Sequence, residues 1–142
     1  MIRAAVTADA DAVFALLRQL SVSFEPDLDI FTRAFPTLVD NADSVLLVAD
    51  GERGVTGYAL ASLSRLLYTN GVSAQLQELV VDEKNRSFGL GTALLDAVEV
   101  ECRKRGAVQL TVASRRASAF YSERGYAVTA DFLKKPLQAA TP

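Results

Sequence analysis

The chain has 142 residues, 50% of them apolar and 23% charged, with 17 acidic against 15 basic side chains for a net charge of −2. That length buries a core as one domain without disulfides or metals, and the mild negative charge, with no basic run longer than Arg103-Lys104-Arg105, excludes a general binder of nucleic-acid backbone. Cys102 stands alone, which excludes an internal disulfide, and the absence of histidine leaves proton transfer to carboxylates, tyrosine, lysine, cysteine or water.

The start Met1-Ile2-Arg3-Ala4 lacks the apolar stretch of a secretory signal, and no apolar run approaches the ~20 residues of a membrane-spanning helix. The expectation is a cytoplasmic protein with no membrane partner. Residues 2–6 read as a short strand. Thr7 is placed to cap a helix carrying Val13, Phe14, Leu16, Leu17 and Leu20, with Asp9 and Asp11 suited to its first turn. A second helix is predicted at about residues 29–39, carrying Ile30, Phe31, Ala34, Phe35 and Leu38, with Pro36 expected to kink or restart it. At its start Glu25, Asp27 and Asp29 form an acidic cluster, for which a cation site and a solvated helix start are equal explanations.

Strand-like runs at 44–49 and 55–63 flank Asp50-Gly51-Glu52-Arg53-Gly54, which predicts a hairpin, and Asn70-Gly71 then turns the chain into a third strand at 75–81. From Gly89 onward Leu90, Leu94, Leu95, Ala97, Val98 and Cys102 fall on one helical face, with Asp96, Glu99 and Arg103 opposite. Gly106 ends that helix; a strand at 108–112, a short helix at 117–124 ended by Gly125, and a strand pair within 126–137 complete the order. The predicted class is α/β (α+β): a mixed, mostly antiparallel sheet of about six or seven strands with about four helices, in a single domain over residues 1–142.

The segment Arg86, Ser87, Phe88, Gly89, Leu90, Gly91, Thr92 joins an apolar strand to the amphipathic helix, so its amides sit at a helix N-terminus suited to an anion. Taken alone, Gly89 and Gly91 read more readily as easing a tight strand-to-helix turn. The pattern is no dinucleotide fingerprint, which needs glycine where Leu94 stands, and no Walker loop, which needs Gly-Lys-Ser/Thr.

Residues Val81-Asp82-Glu83-Lys84-Asn85-Arg86-Ser87-Phe88-Gly89-Leu90-Gly91 resemble the acetyl-CoA signature R/Q-x-x-G-x-G/A of GNAT N-acetyltransferases. Further on, Ser114-Arg115-Arg116-Ala117-Ser118-Ala119-Phe120-Tyr121-Ser122-Glu123-Arg124-Gly125-Tyr126 is similar to that family's second signature, N-x-x-A-x-x-F-Y-x-x-x-G-F/Y. The resemblance implies a splayed sheet gripping acetyl-CoA, without a metal. It implies that amides of Arg86, Ser87, Phe88, Gly89, Leu90, Gly91 and Thr92 bind the pyrophosphate. It also implies that main-chain groups of Leu79, Val80 and Val81 pair with the pantetheine arm, and that Ser114, Ala117, Phe120 and Tyr121 line the other wall. Ser87, Phe88 and Ser114 depart from the family pattern, where glycine, a cation and asparagine are common.

The implied reaction is direct attack of an amine on the thioester through a tetrahedral intermediate, with a backbone N–H near Leu79 to Val81 polarising the carbonyl. The resemblance makes Tyr121 the acid that protonates the departing thiolate, against a purely packing role beside Phe120. Glu78, a carboxylate inside an apolar strand, suits a general base or, equally, a carboxylate paired with a nearby Arg or Tyr for structural reasons. Cys102, on the buried helix face, reads as packing. Gln77-Glu78-Leu79-Val80-Val81 and Phe132-Leu133-Lys134-Lys135-Pro136-Leu137 look similar to GNAT branches that acetylate small amines, including aminoalkylphosphonates and aminoglycosides. The expected partner is thus a small-molecule amine; a protein N-terminus or lysine, and a non-catalytic acetyl-CoA-binding module, are the alternatives. The resemblance also implies a homodimer.

Overall fold

The valine- and alanine-rich runs of the first 112 residues pair into a sheet of order β1-β2-β3-β4-β5: β1 (Ile2–Ala4), β2 (Ser44–Gly51), β3 (Gly54–Leu66), β4 (Gly71–Val81) and β5 (Ala107–Val112). The first four strands are antiparallel to their neighbours, and β5 runs parallel to β4. The expected mixed, mostly antiparallel sheet is therefore present. The computed structural model describes residues 1–20, 24–86, 88–114 and 117–138. They fall into two compact units, Met1–Val112 and Ala113–Pro142.

In the first unit, α1 (Ala10–Leu17) and α2 (Leu28–Val39) cover one sheet face, where Val13, Leu16 and Phe35 pack with Leu46, Val48, Tyr58 and Val80. The opposite face carries α3 (Leu90–Lys104), whose Leu94, Leu95, Val98 and Cys102 are all buried. Alternation along β3 turns Gly57, Ala59 and Ala61 to α3 and Tyr58 and Leu60 to the other helices. A Cβ on Gly57 would meet Leu94 Cδ1 and the Val80 carbonyl oxygen, each at 3.1 Å, so glycine there sets how closely α3 approaches.

Several predicted boundaries move. The strands β3 and β4 extend to a Leu66↔Gly71 pair, because ladder bonds continue past the apolar runs to the turn itself. Thr7 does not cap α1: residues Thr7–Asp9 form a 3₁₀ turn, and the Asp9 carboxylate accepts from the Val6 N–H at 2.8 Å. The same carboxylate takes a bidentate bond from Arg3 at 2.8 and 2.9 Å, while Arg3 also donates to Asp50 at 3.0 and 3.1 Å, tying β1 to the end of β2. The helix α2 runs through Pro36, with the Asp40 N–H donating to the Pro36 carbonyl, and starts at an Asp27 side chain that accepts from the Ile30 N–H at 3.0 Å. Asp27 is thus a helix cap, and among the described residues no group of three or more acidic, Cys or His side chains is arranged to hold a metal.

The second unit contains α4 (Ser118–Ser122), shorter than expected, with Gly125 at φ 90° behind it. Tyr121 meets Phe120 and Tyr126 edge to face at centroid distances of 5.0 and 5.7 Å, and the Arg124 guanidinium lies 3.9 Å over the Phe120 ring. The strand pair expected within 126–137 is not formed: the described residues there are irregular, so the sheet has five strands instead of six or seven. Its apolar side chains Val128, Phe132, Leu133 and Leu137 are exposed, and Pro136 offers no N–H; an apolar run becomes a strand only where a ladder partner meets it. Among the described residues no helix is long and apolar enough to cross a membrane.

Candidate active site

The strand β4 is regular at its start and irregular in its second half. Leu60 pairs with Glu78 and Ala61 with Leu76, which leaves Gln77 as an extra residue, a β-bulge. On the other edge the parallel ladder to β5 ends at Leu76↔Val112. Beyond it, among the described residues, Leu79, Val80 and Val81 pair only with β3, so those residues leave an edge of main chain alongside the second half of β4. A long 3.4 Å bond from Arg86 Nε reaches the Val81 carbonyl at the end of this edge.

The chain then turns through Glu83–Asn85, where Asp82 accepts from the Lys84 N–H at 3.2 Å, and enters α3. Gly89 occupies the N-cap in the left-handed region, φ 79°, with no side-chain cap bond and no acidic residue in the first turn; Arg103 and Lys104 lie in the last. Leu90 and Gly91 therefore present first-turn amides with no acceptor inside the helix, at the positive end of its dipole. A Cβ built on Gly89 meets no described atom within 4 Å beyond its chain neighbours, so the positive φ, and not crowding, is what favours glycine here. Thr92 belongs to the same first turn, Phe88 is an exposed ring where the family pattern commonly has a cation, and Ser87 lies outside the described residues.

Glu78, beside the bulge, is half-buried and accepts a 2.7 Å bond on Oε1 from the Tyr58 hydroxyl. Burial and then the Glu78 charge push the Tyr58 phenol well above the usual tyrosine range, so Tyr58 keeps its proton and acts as a donor. Both line a cavity of about 250 Å³ walled by α1, α2 and the sheet, with Phe31, Phe35, Leu46 and Leu60 among its apolar sides. Sequence reasoning picked out Glu78 and missed Tyr58. The available signal was a tyrosine in the middle of an apolar strand, since a buried hydroxyl needs a partner.

Of the expected site residues, the structure brings Glu78, Leu79, Val80 and Val81 onto one stretch of β4, with Arg86, Gly89, Leu90, Gly91 and Thr92 next along the chain at the start of α3. Ser114, Ala117, Phe120 and Tyr121 form a cluster of their own in the second unit. There the Ser114 hydroxyl accepts from the Ala117 N–H at 3.1 Å, which fixes the approach to α4. Tyr121 is buried, and burial raises its phenol above the ordinary value, so it too holds its proton at neutral pH. Cys102 is 2% exposed and burial raises its thiol as well, which removes it from nucleophilic chemistry.

Residues 30–135 match the family model described as an acetyltransferase (GNAT) domain. Among solved structures, the chain is similar to glucosamine-6-phosphate N-acetyltransferase from Arabidopsis thaliana (21% identity, TM-score 0.83, covering 97% of this chain and 98% of that one). It is also similar to a transcriptional regulator from Bacillus halodurans C-125 (18%, 0.84, 96% and 99%) and to a GNAT family acetyltransferase from Staphylococcus aureus (16%, 0.80, 96% and 98%). At these identities the likeness is one of fold. No curated protein matches the chain in sequence.

Proposed function

The chain belongs to the acetyltransferase (GNAT) domain family, and on that premise we propose that it moves an acetyl group from acetyl-CoA to the primary amine of a small molecule. One observation carries the reading: a carboxylate, Glu78, is held by Tyr58 at the β4 bulge, facing a cavity, next to a strand edge and a helix start that suit the two halves of a coenzyme A arm. The family match spans both compact units, which supports reading the chain as one domain.

In this reading the amides of Leu90 and Gly91, with those of the neighbouring loop residues Arg86 to Thr92, hold the pyrophosphate, and the edge of Leu79, Val80 and Val81 hydrogen-bonds the pantetheine amides as an added strand. A main-chain N–H of that edge polarises the acetyl carbonyl. Glu78 accepts one proton from the ammonium group, directly or through a water, so that a neutral amine forms the new C–N bond. Tyr121 donates its phenolic proton as the C–S bond breaks and regains one from solvent, while the bonded nitrogen sheds its second proton to solvent, leaving the neutral amide. Ser114, Ala117 and Phe120 position Tyr121 and the arm beside it. Acetyl-CoA and a protonated amine thus yield an amide, a free thiol and one proton.

A thermal shift with acetyl-CoA, followed by thiol release in the presence of amines, tests the reading. A raised melting temperature and amine-dependent thiol release are expected; no binding by melting or calorimetry would end it.

A further inference from the structure

The cavity beside Glu78 has a composition that bears on which amine enters it. Apart from Asp27 and Glu78, every described residue lining it is aliphatic or aromatic, and no lysine or arginine is among them. Its 250 Å³ falls just below the ~300 Å³ at which small-molecule sites begin, room for one ring and a short arm. Phe31, Phe35 and Tyr58 contribute rings to its walls, and Phe31 lies between two tilted ring neighbours, 5.0 Å from Phe14 and 5.2 Å from Phe35. Of the two carboxylates, Asp27 is spent on capping α2, while Glu78 has one oxygen fixed by Tyr58 and carries the negative charge into the apolar chamber.

We infer that the acceptor is an arylalkylamine, a cationic primary amine on a short arm with an aromatic body; this rests on the transferase reading above. The ring is buried among Phe31, Phe35 and Leu60, removing apolar surface from water, and the ammonium group meets Glu78. A phosphorylated or phosphonylated amine meets no cation among the described lining residues to receive its anionic end, and both carboxylates repel it. A polyamine or an aminoglycoside leaves its polar groups unpaired against these walls. The chemistry of transfer is unchanged: the ring-bearing amine loses one proton to Glu78, its nitrogen bonds to the acetyl carbon and sheds a second proton to solvent, and the C–S bond breaks as the thiol takes the proton from Tyr121.

The test is thiol release from acetyl-CoA with 2-phenylethylamine and tryptamine against 2-aminoethylphosphonate, glucosamine 6-phosphate, spermidine, kanamycin and a lysine peptide. The expected result is a kcat/KM for the arylalkylamines about 10- to 100-fold above the rest, the factor that burial of one aromatic ring supplies. Preference for any of the other acceptors overturns the inference and leaves the transferase reading standing. If no amine releases thiol, the transferase reading falls and binding decides the pocket: 2-phenylethylamine, titrated by NMR, should perturb the cavity residues, and no binding overturns the inference. Ala34→Arg, at the exposed rim of the cavity, should raise the KM or Kd for 2-phenylethylamine at least about tenfold by charge repulsion and lost volume while the acetyl-CoA thermal shift stays as in wild type. An unchanged KM or Kd in that variant overturns the assignment of the amine to this cavity.

Discussion

Tyr58 on β3 donates its hydroxyl to Glu78 on β4 across 2.7 Å, joining a fully buried ring to the carboxylate of the cavity. Because burial keeps the phenol protonated, the bond always runs in this direction and fixes which carboxylate oxygen faces the chamber. Tyr58→Phe keeps the ring and removes the donor. It should lower kcat about tenfold through a loosened Glu78, leave acetyl-CoA binding unchanged, and cost about 1 kcal/mol in urea unfolding. Wild-type kcat in this variant would show that Glu78 needs no positioning.

Glu78→Gln removes the proton acceptor and keeps the shape. Its activity should fall most at pH values where the acceptor amine is charged and recover toward wild type as the amine loses its own proton at high pH. A pH–rate profile of both proteins checks this. A loss of the same size at every pH would assign Glu78 to binding or packing.

Gly89→Val acts at the N-cap of α3. A branched residue at φ 79° costs about 1–2 kcal/mol, and it adds bulk at the residue that leads into the first-turn amides. The variant should stay folded by circular dichroism and lose the thermal shift with coenzyme A. A normal shift would move the pyrophosphate to another site.

Tyr121→Phe preserves the edge-to-face contacts with Phe120 and Tyr126 and deletes one proton. With acetyl-CoA occupancy matched, single-turnover thiol release should slow by roughly 10²- to 10⁴-fold. Since burial raises the Tyr121 phenol, wild-type rates should show no loss from its ionisation below about pH 10. Equal single-turnover rates would assign the proton to water.

Arg3, and secondarily the Val6 amide, hold the Asp9 carboxyl below its ordinary value, in opposition to burial. The folded state therefore favours the ionised form. Its stabilisation is complete above the ordinary carboxylate range near ~3.9 and is lost as pH falls through the lower folded value. Asp9→Asn should cost about 1–3 kcal/mol near neutrality, and urea midpoints of the two proteins should converge as the pH drops below ~4. A constant difference down to pH 2 would exclude linkage through Asp9.

The chain's own residues determined the strands and helices whose signal is local. The period of Leu90, Leu94, Leu95, Val98 and Cys102 specifies α3, Asn70-Gly71 specifies a turn, and Gly89 marks the helix start, because each rests on neighbours a few positions away. The whole order of elements through α4 was legible on the same grounds, as was Glu78, a charge where burial disfavours one. What depended on partners distant in sequence was not. The tail at 126–137 has strand-like composition and forms no strand, since a ladder needs a second chain segment that composition does not name. The bulge at Gln77, the end of the β4–β5 ladder at Leu76, the bond from Tyr58 twenty residues away and the cavity between α1, α2 and the sheet all arise from register and packing. Side chains meet across strands only once pairing is set, and a one-residue shift would turn Tyr58 and Glu78 to opposite faces, so tertiary structure alone decided what surrounds the carboxylate.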